Sequence, residues 1–526
     1  MKRKITAYNA AVVLFAALGS VIYGYDSSVI ATTLGQPSFY AYFDLTDDPT
    51  NPGYSYTISI TGACNGLAQA GGFFGSFLNA WISDRFGRRA TFQVASTLCI
   101  VGSAIHSGAP NLAVFLTFRF VNGLGVGMVL TATPLYQSEL SPPYARGLLV
   151  GSHGAMLAIG YNIASWVGLG CFFASNPAFQ WRFPLALQTL FPVLLLAGSF
   201  RLPSSPRWLV AKNRGDEARQ VLERLHASSD DPHHTFAIAE YDQIVAQIEL
   251  ERRKRNERRS RSSDALASSN FVSDLADLFS HRPYRKRAIL GFTLMFGAQC
   301  TGVLVINNYQ VILFPALGIS PALSLGLYSV YLAIALVGNS ICGPIVDRFG
   351  RRKCLLIGLC GCVFALTGEC IFSRFAAEPN ASRAILSLAV LFIFLYIPFF
   401  SSMIDPNMYI YSSEIFPAEV RSVGVAVSMS GQWLATICFL QSAPTAFANI
   451  GYRFYIVFIV CTIALFGIVY RFYPETKGLS LEEMARIFGD EVAVDLEVEM
   501  QHVKDELHRK RSVGNEEQVS RVENKE

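Results

Sequence analysis

Twelve apolar stretches, six before a long polar interval and six after it, constrain this chain more than any other feature. They lie near 10–33, 57–82, 90–108, 111–133, 148–172 and 183–200, then near 288–314, 323–346, 353–373, 385–411, 421–448 and 452–470. Each is close to the ~20 residues a helix needs to cross a bilayer. The residues AVILMFWYC make up 52 % of the 526 positions and charged residues only 16 %, against the ~25 % usual for soluble domains. That balance argues against a soluble enzyme, a nucleic-acid binder and a disordered protein. The expected fold is an all-α membrane protein with twelve transmembrane helices in two six-helix halves. Prolines inside the stretches, such as Pro398 and Pro406, are compatible with it, because neighbouring helices satisfy the freed backbone groups.

The net charge of 43 − 39 = +4 is too small to imply a polyanionic partner, and its distribution is more informative. The loop from Ala31 to Tyr56 has no Lys or Arg, whereas the next loop carries Arg85, Arg88 and Arg89. The polar interval 201–287 contains Arg252-Arg253-Lys254-Arg255. Basic loops stay inside, so both termini and the interval are expected in the cytoplasm. The predicted organisation is 1–200, a six-helix half; 201–287, a cytoplasmic loop with short helices at Asp216–Leu225 and Tyr241–Arg259; 288–470, the second half; and 471–526, a cytoplasmic tail whose helix starts near Leu479. The apolar run after Met1-Lys2-Arg3-Lys4 superficially resembles a signal peptide. It outlasts a signal core and contains Gly24-Tyr25-Asp26, so it reads as the first transmembrane helix. Asn380 begins an N-x-[ST] sequon on the outside, where glycosylation is possible. The eleven cysteines sit in or beside apolar runs without a CxxC pair and read as packing residues, with no metal or disulfide framework.

The two halves repeat one another. Asp84-Arg85-Phe86-Gly87-Arg88-Arg89 recurs as Asp347-Arg348-Phe349-Gly350-Arg351-Arg352, and Glu139 with Arg146 recurs as Glu414 with Arg421 at the same seven-residue spacing. A parallel repeat of six-helix halves puts a central cavity between them. These pieces, with Arg119-Phe120-x-x-Gly123-x-Gly125-x-Gly127, Pro134-x-Tyr136-x-x-Glu139, Pro203-Ser204-Ser205-Pro206-Arg207-Trp208-Leu209, Tyr411-x-x-Glu414-Ile415-Phe416-Pro417 and Pro474-Glu475-Thr476-Lys477-Gly478, closely resemble the sugar porter family of the major facilitator superfamily over nearly the whole chain.

The resemblance implies a plasma-membrane transporter that works by alternating access, without covalent chemistry or a cofactor. Its partners would be a small carbohydrate-like substrate, protons and the bilayer. It also implies a cytoplasmic latch formed by Asp84, Arg88, Glu139, Arg146, Asp347, Arg351, Glu414 and Arg421. Asp26 and Arg119 lie inside apolar runs, where a charge costs roughly 2.5–3.5 kcal/mol on insertion scales, so pairing is the expected compromise. Proton-coupled sugar porters have such a pair; a permanently ionised structural pair is the alternative.

The substrate motif departs from the family. The seventh helix keeps Gln299, Gly302 and Tyr309, but Ala298 and Leu304 replace amides and Asn308 replaces an aromatic. Gly154 stands where a fifth-helix Gln is usual, beside His153, and Tyr409 where a tenth-helix Trp is usual, while Trp433 is retained. Hydroxyl-rich ligands need directional partners, and amides supply donor and acceptor together, so glucose is not the expected substrate. Gln299, Asn308, Tyr309, Asp405, Trp433 and His153 are the candidate substrate residues, with Asn307 as a further amide. Asp405 reads either as a ligand or proton group or as a helix-break cap, and Glu369 and His106 as interfacial. The expected function is proton symport of a sugar, polyol or related polyhydroxylated molecule. An uncoupled facilitator, a specialised-metabolite transporter and a non-transporting nutrient sensor remain as alternatives.

Overall fold

The computed structural model describes residues 6–46, 51–142, 145–227, 231, 234–261, 271–316, 319–376, 378, 382–417, 420–478 and 487–489. Asn380, the side chain of Arg146 and the start of the tail helix near Leu479 lie outside the described residues. The first half consists of helices Ala7–Leu34, Tyr54–Phe86, Arg88–Ser107, Leu112–Leu140, Arg146–Phe172 and Pro177–Ser199. The second consists of Arg282–Val311, Pro321–Phe349, Arg351–Ala376, Arg383–Glu414, Arg421–Ile450 and Phe454–Phe472. These are numbered below as the first to twelfth helices.

Ten of the twelve are apolar and long enough to cross a bilayer by themselves, among the described residues. The second and third are the exceptions, and composition explains them. The second carries Gly71, Gly72 and Gly75 beside Asn65, Gln69 and Asn79; the third begins Arg88-Arg89. Small residues let backbones approach closely. A Cβ built on Gly123 of the fourth helix would run into the backbone of Ala68, and one on Gly127 into Gly72. The small residues of the second helix thus serve close packing inside the bundle.

The halves meet along two long seams, the fifth helix on the eighth and the second on the eleventh. Gly151 faces Gly343 across the first seam, and Gly72 faces the Trp433 ring across the second. The repeated hexapeptides adopt one shape: Gly87 and Gly350 both end a helix at positive φ, +90° and +96°, a region that glycine enters without steric cost.

Several helices break, each for an identifiable reason. The tenth is interrupted at Ile404, between Arg383–Met403 and Asp405–Glu414, because Pro406 has no N–H for the carbonyl four residues back. The sixth is interrupted at Gln188 and Thr189, where Pro192 acts in the same way. The seventh breaks at Gly302, φ +89°, and resumes as Val303–Ala316.

Between the halves, Pro206–Ala211, Gly215–Leu225, Thr235–Arg261 and Phe271–Ser280 are helical. The first three share a small core containing Leu209, Leu222 and Ile244. The second expected cytoplasmic helix therefore begins six residues earlier than its charged composition suggested, at Thr235, and two short helices flank the expected pair.

Candidate functional site

Asp26 and Arg119 meet in the interior of the first half, 4 % and 1 % exposed. Arg119 Nη1 donates to Asp26 Oδ1 at 2.6 Å. The same oxygen accepts from Asn122 Nδ2 and Gln188 Nε2, each at 2.7 Å. Asn122 reaches it because it follows Arg119 by one helical turn; Gln188 reaches it from the break in the sixth helix. A buried ion pair loses hydration and holds only where hydrogen bonds replace it, and three donors on one oxygen do that here. Tyr25, next to Asp26, donates to the Pro184 carbonyl at 2.8 Å, and an aromatic cluster including Phe39, Phe115 and Trp181 packs in the same region of the core.

Two titratable residues read as interfacial from their places along the helices are covered by neighbouring helices. His106 is completely buried, its ring 5.7 Å from that of Phe115, because the fourth helix covers the end of the third. Glu369 is 3 % exposed; it accepts from Ser373 Oγ at 2.6 Å and is hydrogen-bonded to Tyr455 of the twelfth helix.

A cavity lies between the halves beside the helix breaks. Its polar wall is Gln299, Asn307, Asn339 and Asp405, and its aromatic wall includes Tyr23, Tyr161, Tyr331 and Tyr409. Gln299 lies just before the break in the seventh helix, Asn307 one turn beyond Val303 on the cavity face, and Asp405 at the break in the tenth. Asn339 of the eighth helix lines the cavity beside the Asp405 carboxylate and donates to the Ala335 carbonyl at 3.1 Å. Pro406 fills the space that a side chain at Gly154 would need, so the lost fifth-helix amide is matched by the Asp-Pro step of the tenth.

The other four candidate substrate residues stand away from this wall. Asn308 is rotated by about 100° from Asn307 on an α-helix and donates to the Leu304 carbonyl at 2.9 Å. The Tyr309 hydroxyl donates to the Leu440 carbonyl at 2.8 Å and accepts from Asn65 at 3.4 Å. Trp433 donates to Ser76 Oγ at 2.7 Å, with its ring edge-on to Tyr23 at 5.9 Å. His153 Nδ1 is 2.7 Å from Ser20 Oγ, and its ring lies 4.5 Å from that of Tyr409. Trp433 and His153 thus support wall residues from behind.

The charges of the repeated motifs, expected on the cytoplasmic side, form two related clusters. In the first half, Arg88 reaches Glu139 with two hydrogen bonds, 3.0 and 2.7 Å, and Asp84 at 3.6 Å. In the second, Arg351 reaches Glu414 at 3.0 Å and Asp347 at 3.1 Å. Among the described residues the closest ion pairs are therefore within a half. The halves are linked by Arg421 to Glu139 at 4.0 Å, Ser422 Oγ to Asp84 Oδ1 at 2.5 Å, Arg88 Nη2 to Ser422 Oγ at 3.4 Å, and the Leu148 N–H to Asp347 Oδ2 at 2.9 Å. Exit segments brace both clusters. Arg207 donates to the Glu139 carbonyl at 2.9 Å, while Thr476 Oγ1 donates to Glu414 Oε2 at 3.1 Å. Ser422 was missed in the sequence; its signal was adjacency to Arg421. Asn122, Gln188 and Asn339 were also missed, although isolated amides inside apolar runs are such a signal.

A family model described as "Sugar (and other) transporter" matches residues 12–488. The MFS-type transporter criB of Aspergillus cristatus is 31 % identical over 477 residues, covering 91 % of this chain and 92 % of that protein. Sugar transporter STL1 of Saccharomyces cerevisiae is 30 % identical over 481 residues, covering 90 % and 79 %. Among solved structures, the proton:xylose symporter XylE bound to 6-bromo-6-deoxy-D-glucose is similar with a TM-score of 0.77 and 23 % identity, covering 92 % of this chain and 100 % of the other. The twelve-helix, two-half architecture is thus that of the major facilitator fold, and this multi-pass membrane protein belongs to the sugar (and other) transporter family.

Proposed function

We propose that the protein is a proton symporter for a neutral sugar, polyol or related polyhydroxylated molecule, acting by alternating access. The observation that carries this reading is the buried Asp26–Arg119 pair with its two amide donors. A carboxylate held by a neighbouring arginine gains or loses proton affinity as their separation changes. Movement of the first helix against the fourth and sixth therefore links protonation to conformation, and the linkage is reciprocal.

The cavity supplies the second component. Its amides, phenols and carboxylate suit a ligand with several hydroxyls. Discontinuous seventh and tenth helices border it, as at many transporter sites. Contacts between halves flank it on both sides: Ser422 with Asp84 toward the cytoplasm, Ser28 with Tyr328 at 2.8 Å and Asn162 with the Leu332 carbonyl at 2.8 Å toward the outside. Breaking one set while keeping the other opens the cavity to one face at a time. In this scheme the eight latch residues favour the state closed to the cytoplasm.

The test uses the full chain in proteoliposomes, with radiolabelled hexoses, pentoses, disaccharides and polyols. An inward proton gradient should drive at least one neutral member of the panel above equilibrium, and a protonophore should abolish that accumulation. Uptake that is unchanged when the gradient is collapsed would reject coupling in favour of an uncoupled facilitator. Accumulation of any label excludes a sensor that does not transport.

A further inference from the structure

Asp405 is the only carboxylate on the cavity wall, and no Lys, Arg or His lines that wall among the described residues. The side chain beside it is Asn339, an uncharged amide. The nearby His153 lies behind the Tyr409 ring and is engaged by Ser20. Arg351, on the cytoplasmic side, is held by Glu414 and Asp347. The carboxylate thus has no cation beside it in the cavity.

The rest of the wall points to a ligand as well. Among the described residues, Gln299 Oε1, Asn307 Oδ1, Asn339 Oδ1 and the Tyr331 hydroxyl have no hydrogen-bond partner in the protein, and their residues are between 0 % and 5 % exposed. Buried polar groups are seldom left so. Hydroxyls donate and accept, and so satisfy such a set; an ammonium group donates and pairs with the carboxylate. A carboxylate on the ligand does neither: it meets Asp405 as a like charge or forces a proton onto it.

We infer that Asp405 makes the cavity a charge filter, admitting neutral and amine-bearing polyhydroxylated ligands and rejecting those that carry a carboxylate. The inference deepens the transport reading and rests on it for the identity of the cavity as the substrate site. At contact distance in a shielded site, the like-charge penalty is worth about a hundredfold or more in affinity. Rejection built on repulsion is an efficient route to specificity, because it needs no new attractive contact to the favoured ligand.

The test separates the electrostatics from transport. Ser401, on the cavity wall, is replaced in the full chain (Ser401→Cys), and the introduced thiol is modified in proteoliposomes by a cationic or an anionic methanethiosulfonate reagent. Rates are read by peptide mass and normalised to each reagent's rate with a free small thiol. The cationic reagent should be favoured at least about tenfold, and Asp405→Asn in the same background should bring the ratio close to one. An equal ratio with and without Asp405 overturns the inference.

Protection of the same thiol by sorbitol, glucamine and gluconate, which differ only at one terminal carbon, reads ligand choice. Sorbitol and glucamine should protect, and gluconate only after Asp405→Asn. Gluconate protecting the parent thiol as well as sorbitol also overturns the inference. Failure of every neutral compound to be transported rejects the symporter reading instead, and the reagent ratio still decides the charge filter.

Discussion

Asp26 and Asp405 are both acids inside the helical bundle, and they are held in opposite ways. Asp26 has an arginine and two amides on a single oxygen and is sealed into one half. Asp405 sits at a helix break on the wall of a cavity between halves, with one amide beside it. The first arrangement compensates charge completely within the protein; the second leaves part of the compensation to whatever occupies the cavity. In the proposed scheme the first serves coupling, through its separation from the arginine, and the second serves ligand choice.

The largest contrast should appear in stability. Arg119→Met leaves Asp26 buried with two amides and no counter-charge. Removing one partner of a buried pair costs about 3–5 kcal/mol, so the variant should unfold at markedly lower temperature in detergent. Asp26→Asn combined with Arg119→Met should recover most of that loss. Asp405→Asn should change stability by about 1 kcal/mol or less, since it exchanges one hydrogen-bonding group for another without orphaning a charge. Equal losses for Arg119→Met and Asp405→Asn would erase the distinction.

The next effect is functional. Asp26→Asn keeps the volume and polarity of the site and removes its titratable group. Uphill accumulation should disappear while exchange of substrate across the membrane persists, because exchange needs only binding and the conformational switch. Should Asp26→Asn accumulate substrate as the parent does, the coupling role fails and the pair is structural.

The two acids also differ in how far the sequence announced them. Asp26 and Arg119 are charges within apolar runs, and bilayer energetics alone demanded a partner for each. The twofold repeat likewise exposed the architecture and both cytoplasmic clusters, because identical hexapeptides impose identical local geometry at Gly87 and Gly350. The cavity wall was less legible. Asn307 and Asn308 are neighbours in the chain, yet only Asn307 lines the cavity; helical phase and the break at Gly302 decide that, and composition carries neither. Gln188 and Asn339 come to lie beside Asp26 and Asp405 only through helix packing between segments distant in sequence. The family pattern carried Tyr309 and Trp433 as ligand residues, but their polar atoms are engaged by Leu440 and Ser76.

A smaller change tests the link between halves. Ser422 Oγ joins Asp84 across the cytoplasmic seam and accepts weakly from Arg88 Nη2 at 3.4 Å. Ser422→Ala removes that link while leaving the Arg88–Glu139 pair intact. The loss of a hydrogen bond of about 1 kcal/mol should shift the balance between outward- and inward-facing states about fivefold toward the inward one. Cytoplasmic accessibility of a thiol introduced by Ser401→Cys measures the shift, and an unchanged rate would mean that packing and the remaining links, Arg421–Glu139 and Leu148–Asp347, hold the seam without Ser422.

A change of similar size is expected for Gln299→Ala, and it separates recognition from coupling most sharply. Gln299 borders the cavity just before the break in the seventh helix, and its Oε1 has no partner among the described residues. Deleting the amide therefore breaks no internal hydrogen bond through that oxygen, and the variant should fold as the parent does. A ligand hydroxyl would lose one partner, worth about 0.5–1.5 kcal/mol, so half-saturation should rise roughly two- to twelvefold. The Asp26–Arg119 pair lies in another part of the bundle and does not share this contact. At saturating substrate the accumulation ratio in a fixed proton gradient should consequently equal that of the parent. A fall in that ratio would place Gln299 in the coupling path, and the two carboxylate sites would then be one coupled network.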